Sequence, residues 1–269
     1  MKASIIIAHD DERDPQLLNR ARASINHEIC RLNMLADFEV IVESDGSKSE
    51  SRNVGAARAQ GEILIFLDDD VKIKSGFLSE ILEPFDYPPV GVVGGVNVAF
   101  PEISFQEEIS AVLWSSPFIM ARSSARYTPR GRIRETDESE IIGCCMAIRK
   151  EAFQEAGGFP LDVIPCEENL LINNIQDLGW KVLYSPYAIV YHERPAFPGE
   201  YMRKVFGYGF GRGQLLRKKA ARGSPKMLWK PNSKWILYAM GFIIHYCSYL
   251  AGLLYGYFAE KEDQEETKK

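Results

Sequence analysis

A chain of 269 residues has ample length to bury a core, and its 46% apolar and 26% charged residues describe a globular protein rather than a disordered one. The net charge of −5 argues against a dedicated nucleic-acid binder, which is usually basic overall. Five cysteines with no C-x-x-C pair fit reduced thiols in a cytosolic compartment and exclude zinc-site spacing. The apolar run after Met1 ends at His9-Asp10, too short for a signal peptide.

Residues 3–8 (ASIIIA) predict a buried strand that opens into the polar loop HDDERD. Apolar positions at helical spacing follow over 15–35, then a strand at 38–43 and the turn residues SDGS. Residues 50–60 read as a helix stopped by Gly61, and 62–67 (EILIFL) as a strand running straight into Asp68-Asp69-Asp70. Alternation at this pitch means βαβ units and an α/β fold with a mainly parallel sheet, whose ligands bind beyond the carboxyl ends of the strands. Asp10, Asp45 and the three aspartates all stand at such ends.

Further along, 90–98 (VGVVGGVNV) predicts a strand whose Gly94-Gly95 pair allows close backbone approach. Residues 101–137 read as irregular, with a basic patch of Arg122, Arg126, Arg130, Arg132 and Arg134. A strand-like stretch at 141–148, a short helix ending in Gly-Gly, a helix over 167–178, and two strands near 181–184 and 187–191 complete this part, which ends at His192.

Three adjacent aspartates repel one another unless a cation sits among them, and Mg²⁺ or Mn²⁺ is the natural partner for carboxylates and phosphates. The same residues would also serve as a solvated loop or as an N-cap for a helix starting near Ser75. Asp45 and Arg52 have an equally plain reading as turn and helix residues, and Glu167-Glu168 as complements to a helix dipole.

Taken in order, IVESDGS, SRNVGAARAQGEILIFLDDD, MAIRKEAFQEAGGF, the pair Glu167-Glu168, then Gly179-Trp180, Ser185-Pro186 and His192 resemble the family 2 glycosyltransferases. Two departures stand out: Glu43-Ser44 replaces the first Asp of a usual pair, and Leu170 replaces a usual Asp. The resemblance implies a GT-A fold over residues 1–198 and sugar transfer from a nucleotide-diphosphate donor with inversion, assisted by Mn or Mg. It assigns Glu168 as general base with Glu167 as runner-up, and places Asp10, Asp45, Arg52, Asp68, Asp69 and Gly95 about the nucleotide sugar. Asp70 would bind the metal, and His192 either completes its sphere or is a structural histidine at a strand end. The alternative from another class is a nucleotide-sugar-binding scaffold without turnover. A sugar-nucleotide pyrophosphorylase would need a Gly-rich basic loop where AHDDERD stands.

Beyond residue 198 the composition changes. Residues 199–234 form a basic helical or linker segment: between Met202 and Lys234 every charge is positive. Residues 235–259 carry no charged residue apart from His245, and are just long enough as a helix to cross a core of ~30 Å. Ser248, Gly252 and Gly256 give this stretch a small-residue face for another helix, including that of a homodimer. The segment therefore predicts association with the cytoplasmic face of a membrane and a saccharide or lipid-linked acceptor, with 260–269 as a disordered tail.

Overall fold

The computed structural model describes residues 3–33, 35–44, 46–163, 165–217 and 243–256. Asp45, the stretch 218–242 and the tail from 257, with the expectations placed on them, lie outside the described residues.

The chain begins with β1 (Ala3–Ala8), α1 (Pro15–Leu32), β2 (Phe38–Glu43), α2 (Lys48–Arg58) and β3 (Ile63–Asp68). Local chemistry explains the helix starts. Asp14 caps α1 ahead of Pro15, and Ser47 with Glu50 forms a reciprocal capping box on α2. A three-residue strand, β4 (Val71–Ile73), follows the aspartates, and then α3 (Phe77–Leu82) and β5 (Val90–Ala99).

Where the sequence reads as irregular, 101–137, the chain instead builds α4 (Phe105–Ser115), α5 (Pro117–Met120), a 3₁₀ turn over Ala121–Arg126 and the two-residue β6 (Arg134–Glu135). The start of α4 had a sequence signal, because Ser104 and Glu107 form a second capping box. Next come β7 (Cys145–Arg149), α6 (Lys150–Glu155), α7 (Glu167–Asp177), β8 (Lys181–His192) and α8 (Gly199–Arg217). A final helix, α9, covers 243–256.

The sheet order is β2-β1-β3-β7-β5-β8-β4, with β6 also pairing β8. β1 pairs in parallel with β2 and β3, so Ala8 stands level with both Glu43 and Asp68. That register brings the loops after all three strands to one edge. Alternation along the buried strands divides the core. Ile5, Ile7, Ile65 and Leu67 pack with Ile25 of α1 and Phe77 of α3, while Ile6, Leu64 and Phe66 face Phe153, Leu171 and Ile175. This is the α/β sandwich expected, with β7 as an antiparallel insert.

The two strands expected near 181–184 and 187–191 are one strand, β8. Its pairing with β5 shifts between Gly94↔Tyr184 and Val96↔Ile189, so the residues around Pro186 bulge out of the ladder. Gly95 sits opposite this bulge. A β-carbon there would lie 2.3 Å from the Ala188 carbonyl oxygen and 2.5 Å from Cys145 Sγ. Gly95, expected beside the nucleotide, lies inside the sheet, where its close approach is to β8 and to Cys145 of β7. Gly95→Ala should destabilise the fold by about 1–3 kcal/mol, read as a lower urea midpoint, because the new methyl group meets backbone.

Candidate active site

β3 delivers Asp68 at its last position, and Asp69-Asp70 make the turn into β4. β4 pairs antiparallel with the end of β8, which sets Val71 opposite His192. One oxygen of Asp68, one of Asp70 and one ring nitrogen of His192 consequently lie within 4.8 Å of one another, all three residues being buried. His192 Nδ1 stands 2.9 Å from the Glu193 carbonyl oxygen, which can only accept, so Nδ1 carries a hydrogen. Nε2 then faces Asp70 Oδ1 at 3.2 Å and Asp68 Oδ2 at 3.9 Å.

Asp70 Oδ1 is buried and makes no hydrogen bond. A bare imidazole lone pair against two carboxylates is unfavourable, and only a proton or a metal cation relieves it. With a proton, burial would lower the His192 pKa, but Asp70 and Asp68 prevail and raise it to about 10. With a divalent cation, the same atoms supply two carboxylate oxygens and one imidazole nitrogen, a donor set that fits Mn²⁺ or Mg²⁺.

Cations ring this acidic turn. Arg13 forks across it, with Nη1 2.6 Å from Asp69 and Nη2 2.9 Å from Asp70. Lys48 Nζ, on the first turn of α2, is 2.8 Å from Asp68 Oδ2, and that carboxylate raises the lysine's pKa. Arg52 lies deeper, 3% exposed, and donates to Asp68 at 2.9 Å and to Glu167 at 2.9 Å. Burial opposes charge on both sides of this contact, yet Lys48, His192 and Arg52 keep Asp68 well below the usual carboxylate range.

The expected site residues separate into groups. Asp68, Asp70, His192 and Arg52 converge, and Arg52 carries the cluster to Glu167 at the start of α7. Asp69 turns inward: its oxygens are taken by Arg13 and by His9 Nδ1 at 2.9 Å. Asp10 is exposed at the rim, where its carboxylate accepts from the Glu12 amide at 3.1 Å and closes a local turn. Glu168 is half-buried beside Glu167; burial and then the neighbouring Glu167 push its pKa up to about 7, against the lowering pull of Arg126 and Arg52.

Sequence reading missed Arg13, His9 and Lys48. His9 and Arg13 stood inside HDDERD, a stretch singled out for its acids, and Lys48 directly follows the turn residues SDGS, so for the first two only the sign of charge was overlooked. Cys166, the residue before Glu167, has φ +84, a conformation that costs a non-glycine residue about 1–3 kcal/mol and marks the turn as held from outside. What holds it is α8, where Gly211 approaches so closely that a β-carbon would fall 1.9 Å from the Pro165 carbonyl oxygen.

Arg52→Met should destabilise the protein by about 3–5 kcal/mol, since two buried carboxylates lose their counter-charge. Arg52→Lys should recover only part of this in denaturant titrations, because an ammonium lacks the fork that reaches both acids.

Comparison with known proteins bears on what this cluster does. The family model described as Glycosyl transferase family 2 matches residues 5–157. Among curated proteins, the O-antigen biosynthesis protein RfbC of Myxococcus xanthus is 30% identical over 113 residues, covering 40% of this chain and 9% of its own length. The pre-mycofactocin glycosyltransferase of Mycobacterium tuberculosis is 23% identical over 192 residues, covering 71% of this chain and 40% of that protein. The chain thus spans less than half the length of either relative. Among solved structures, the mannosyltransferase PcManGT from Pyrobaculum calidifontis, in complex with GDP-Man and Mn²⁺, superposes with a TM-score of 0.54 at 16% identity, covering 97% of this chain and 75% of that one. At that identity the likeness concerns the fold.

Proposed function

The chain belongs to glycosyl transferase family 2, and we propose that it transfers a sugar from a nucleotide-diphosphate donor to an acceptor hydroxyl, with inversion at the anomeric carbon. The observation that carries this reading is the buried Asp68-Asp70-His192 trio, with Asp70 Oδ1 lacking a hydrogen bond and with Arg13, Lys48 and Arg52 around it.

Asp70 and His192, with Asp68 beside them, would hold a divalent metal, Mn or Mg. When bound, such a cation stabilises negative charge on a departing diphosphate as a Lewis acid. The chain's own residues supply the rest. Lys48 and Arg13 stand where phosphate oxygens would meet positive charge. Lys204 on α8 comes within electrostatic reach of Asp70 and Asp68. Asp45, Asp68 and Arg52 would contact the nucleoside, as the family resemblance implies.

Glu168 takes the acceptor hydroxyl's proton on a carboxylate oxygen as the hydroxyl attacks the anomeric carbon. A pKa of about 7 suits that task, because the group is a strong enough base yet still ionised near neutrality. Glu167 is less available, since its carboxylate is already engaged by Arg52; it positions the turn. A saccharide or lipid-linked acceptor, met at the cytoplasmic face of a membrane, completes the reading. Its support is the run of ten lysines and arginines without an acid between Met202 and Lys234.

Screening UDP, GDP and dTDP by thermal shift, each with and without Mn²⁺, should show metal-dependent stabilisation by at least one, lost in Asp70→Ala. No response to any of them would count against the proposal. Glu168→Gln should keep that stabilisation while turnover of the matching donor falls by roughly 10²–10⁴. The wild-type kcat/KM should decline as pH drops below about 7, because protonated Glu168 cannot accept the proton. Stabilisation with a turnover indifferent to Glu168→Gln would favour the non-catalytic scaffold instead.

A further inference from the structure

The exposure pattern of α9 follows helical spacing closely. Its exposed positions are Ile243, Cys247, Leu250, Ala251, Leu254 and Tyr255, one uncharged stripe at i, i+4, i+7, i+8, i+11 and i+12. The opposite face is committed to the protein. Gly252 and Gly256 meet the Phe206 and Phe210 carbonyls of α8, where β-carbons would fall 2.0 and 2.1 Å away, and Gly209 of α8 meets Tyr249 in the same manner. His245 Nδ1 lies 2.9 Å from the Tyr201 hydroxyl, and the Tyr246 hydroxyl donates to the Ile119 carbonyl at 3.0 Å. The small-residue face expected to pack a helix is therefore filled by α8 of the same chain, and it is not free for a second copy.

A helix fixed to its own catalytic domain along one side cannot be surrounded by lipid, as a spanning helix is. It can still rest one apolar face on a bilayer. Among the described residues no helix is long and apolar enough to cross a membrane. Phe206 of α8 is exposed next to Tyr255, their ring centroids 6.2 Å apart, which extends the stripe onto the neighbouring helix. The sequence joining the two helices, 218–242, carries Lys218, Lys219, Arg222, Lys226, Lys230 and Lys234 and no acidic residue. Apolar stripe and cationic run together match a surface that is hydrocarbon beneath and anionic at its headgroups.

We infer that the packed α8–α9 pair is a monotopic docking surface for an anionic lipid bilayer, with α9 lying in the membrane plane and its 243–247–250–254 stripe turned into the lipid. This rests on the membrane placement proposed above and sharpens it from association to a defined face and orientation. The other side of α8 supports the turn that carries Glu167 and Glu168, through Gly211 against Pro165 and the Cys166 thiol near the Tyr208 carbonyl. Docking would thus set the base-bearing turn at a fixed height above the bilayer, where a lipid-linked acceptor presents its hydroxyl.

The test is vesicle flotation of the purified full chain with phosphatidylcholine alone and with phosphatidylcholine mixed with phosphatidylglycerol. The chain should float only with the anionic vesicles, leave them at high salt, and be extracted by alkaline carbonate. Leu250→Asp with Leu254→Asp should weaken partition roughly tenfold or more, because two side chains lose their transfer into hydrocarbon. The thermal shift given by nucleoside diphosphate and Mn²⁺, measured on the same variant, should be unchanged and reports that the fold is intact. Retention through carbonate would mean a spanning helix and overturn the inference. So would absence of flotation by the wild type, or a dimer in light scattering that the double substitution dissociates. Flotation without any nucleotide response would leave the docking surface standing and remove the enzymatic reading instead.

Discussion

Arg52 lies buried with Asp68 on one side and Glu167 on the other, joining the end of β3 to the start of α7. Burying three charges is costly unless their geometry is good, and breaking such a set is costlier still. Here the planar guanidinium satisfies one carboxylate with each terminal nitrogen, so the distance between the carboxyl end of β3 and the start of α7 is set by the width of one side chain. Its Cζ also stands 5.2 Å from the centroid of Phe159, which fills the space behind it with an aromatic ring.

Around that bridge the site divides its charges by depth. Arg13 and His9 use up Asp69 and tie the loop after β1 to the loop after β3. Asp68 and Asp70 are left facing His192 across the short β4–β8 pairing. Asp69 is therefore a structural clamp, although it stands between two residues that face His192. Successive residues in a turn need not share a direction, and the middle one can serve the scaffold while its neighbours serve chemistry.

The carboxyl-terminal helices extend the same logic. Trp114, Tyr127, Tyr201 and Val205 form a separate apolar cluster on which α8 sits. Arg194 stabilises it from below, its guanidinium near the Trp114 and Tyr127 rings and hydrogen-bonded to Asn97. Glycines in α8 remove side chains where the backbone of α9 and of Pro165 must come close, so the Y-G-x-G-R-G sequence is a packing device on both sides of one helix.

Much of the fold was legible in the chain itself. The runs ASIIIA, FEVIVE and EILIFL, each stopped by polar residues, define three strands by local composition, and their carboxyl ends mark the site. The ordered motifs that resemble family 2 glycosyltransferases drew Asp68, Asp70, Glu167 and Glu168 into one hypothesis before any pairing was known. The meeting of His192 with Asp70 required β4, three residues long, to pair with a strand more than a hundred positions away, and no periodicity reports that. Nor could it show that Gly95 answers a bulge at Pro186, that Arg52 reaches Glu167, or that α8 fills the small-residue face of α9. Periodicity and capping are short-range properties fixed by neighbours along the chain. Which side chain opposes which is a long-range outcome, decided by how the sheet and helices close around one another.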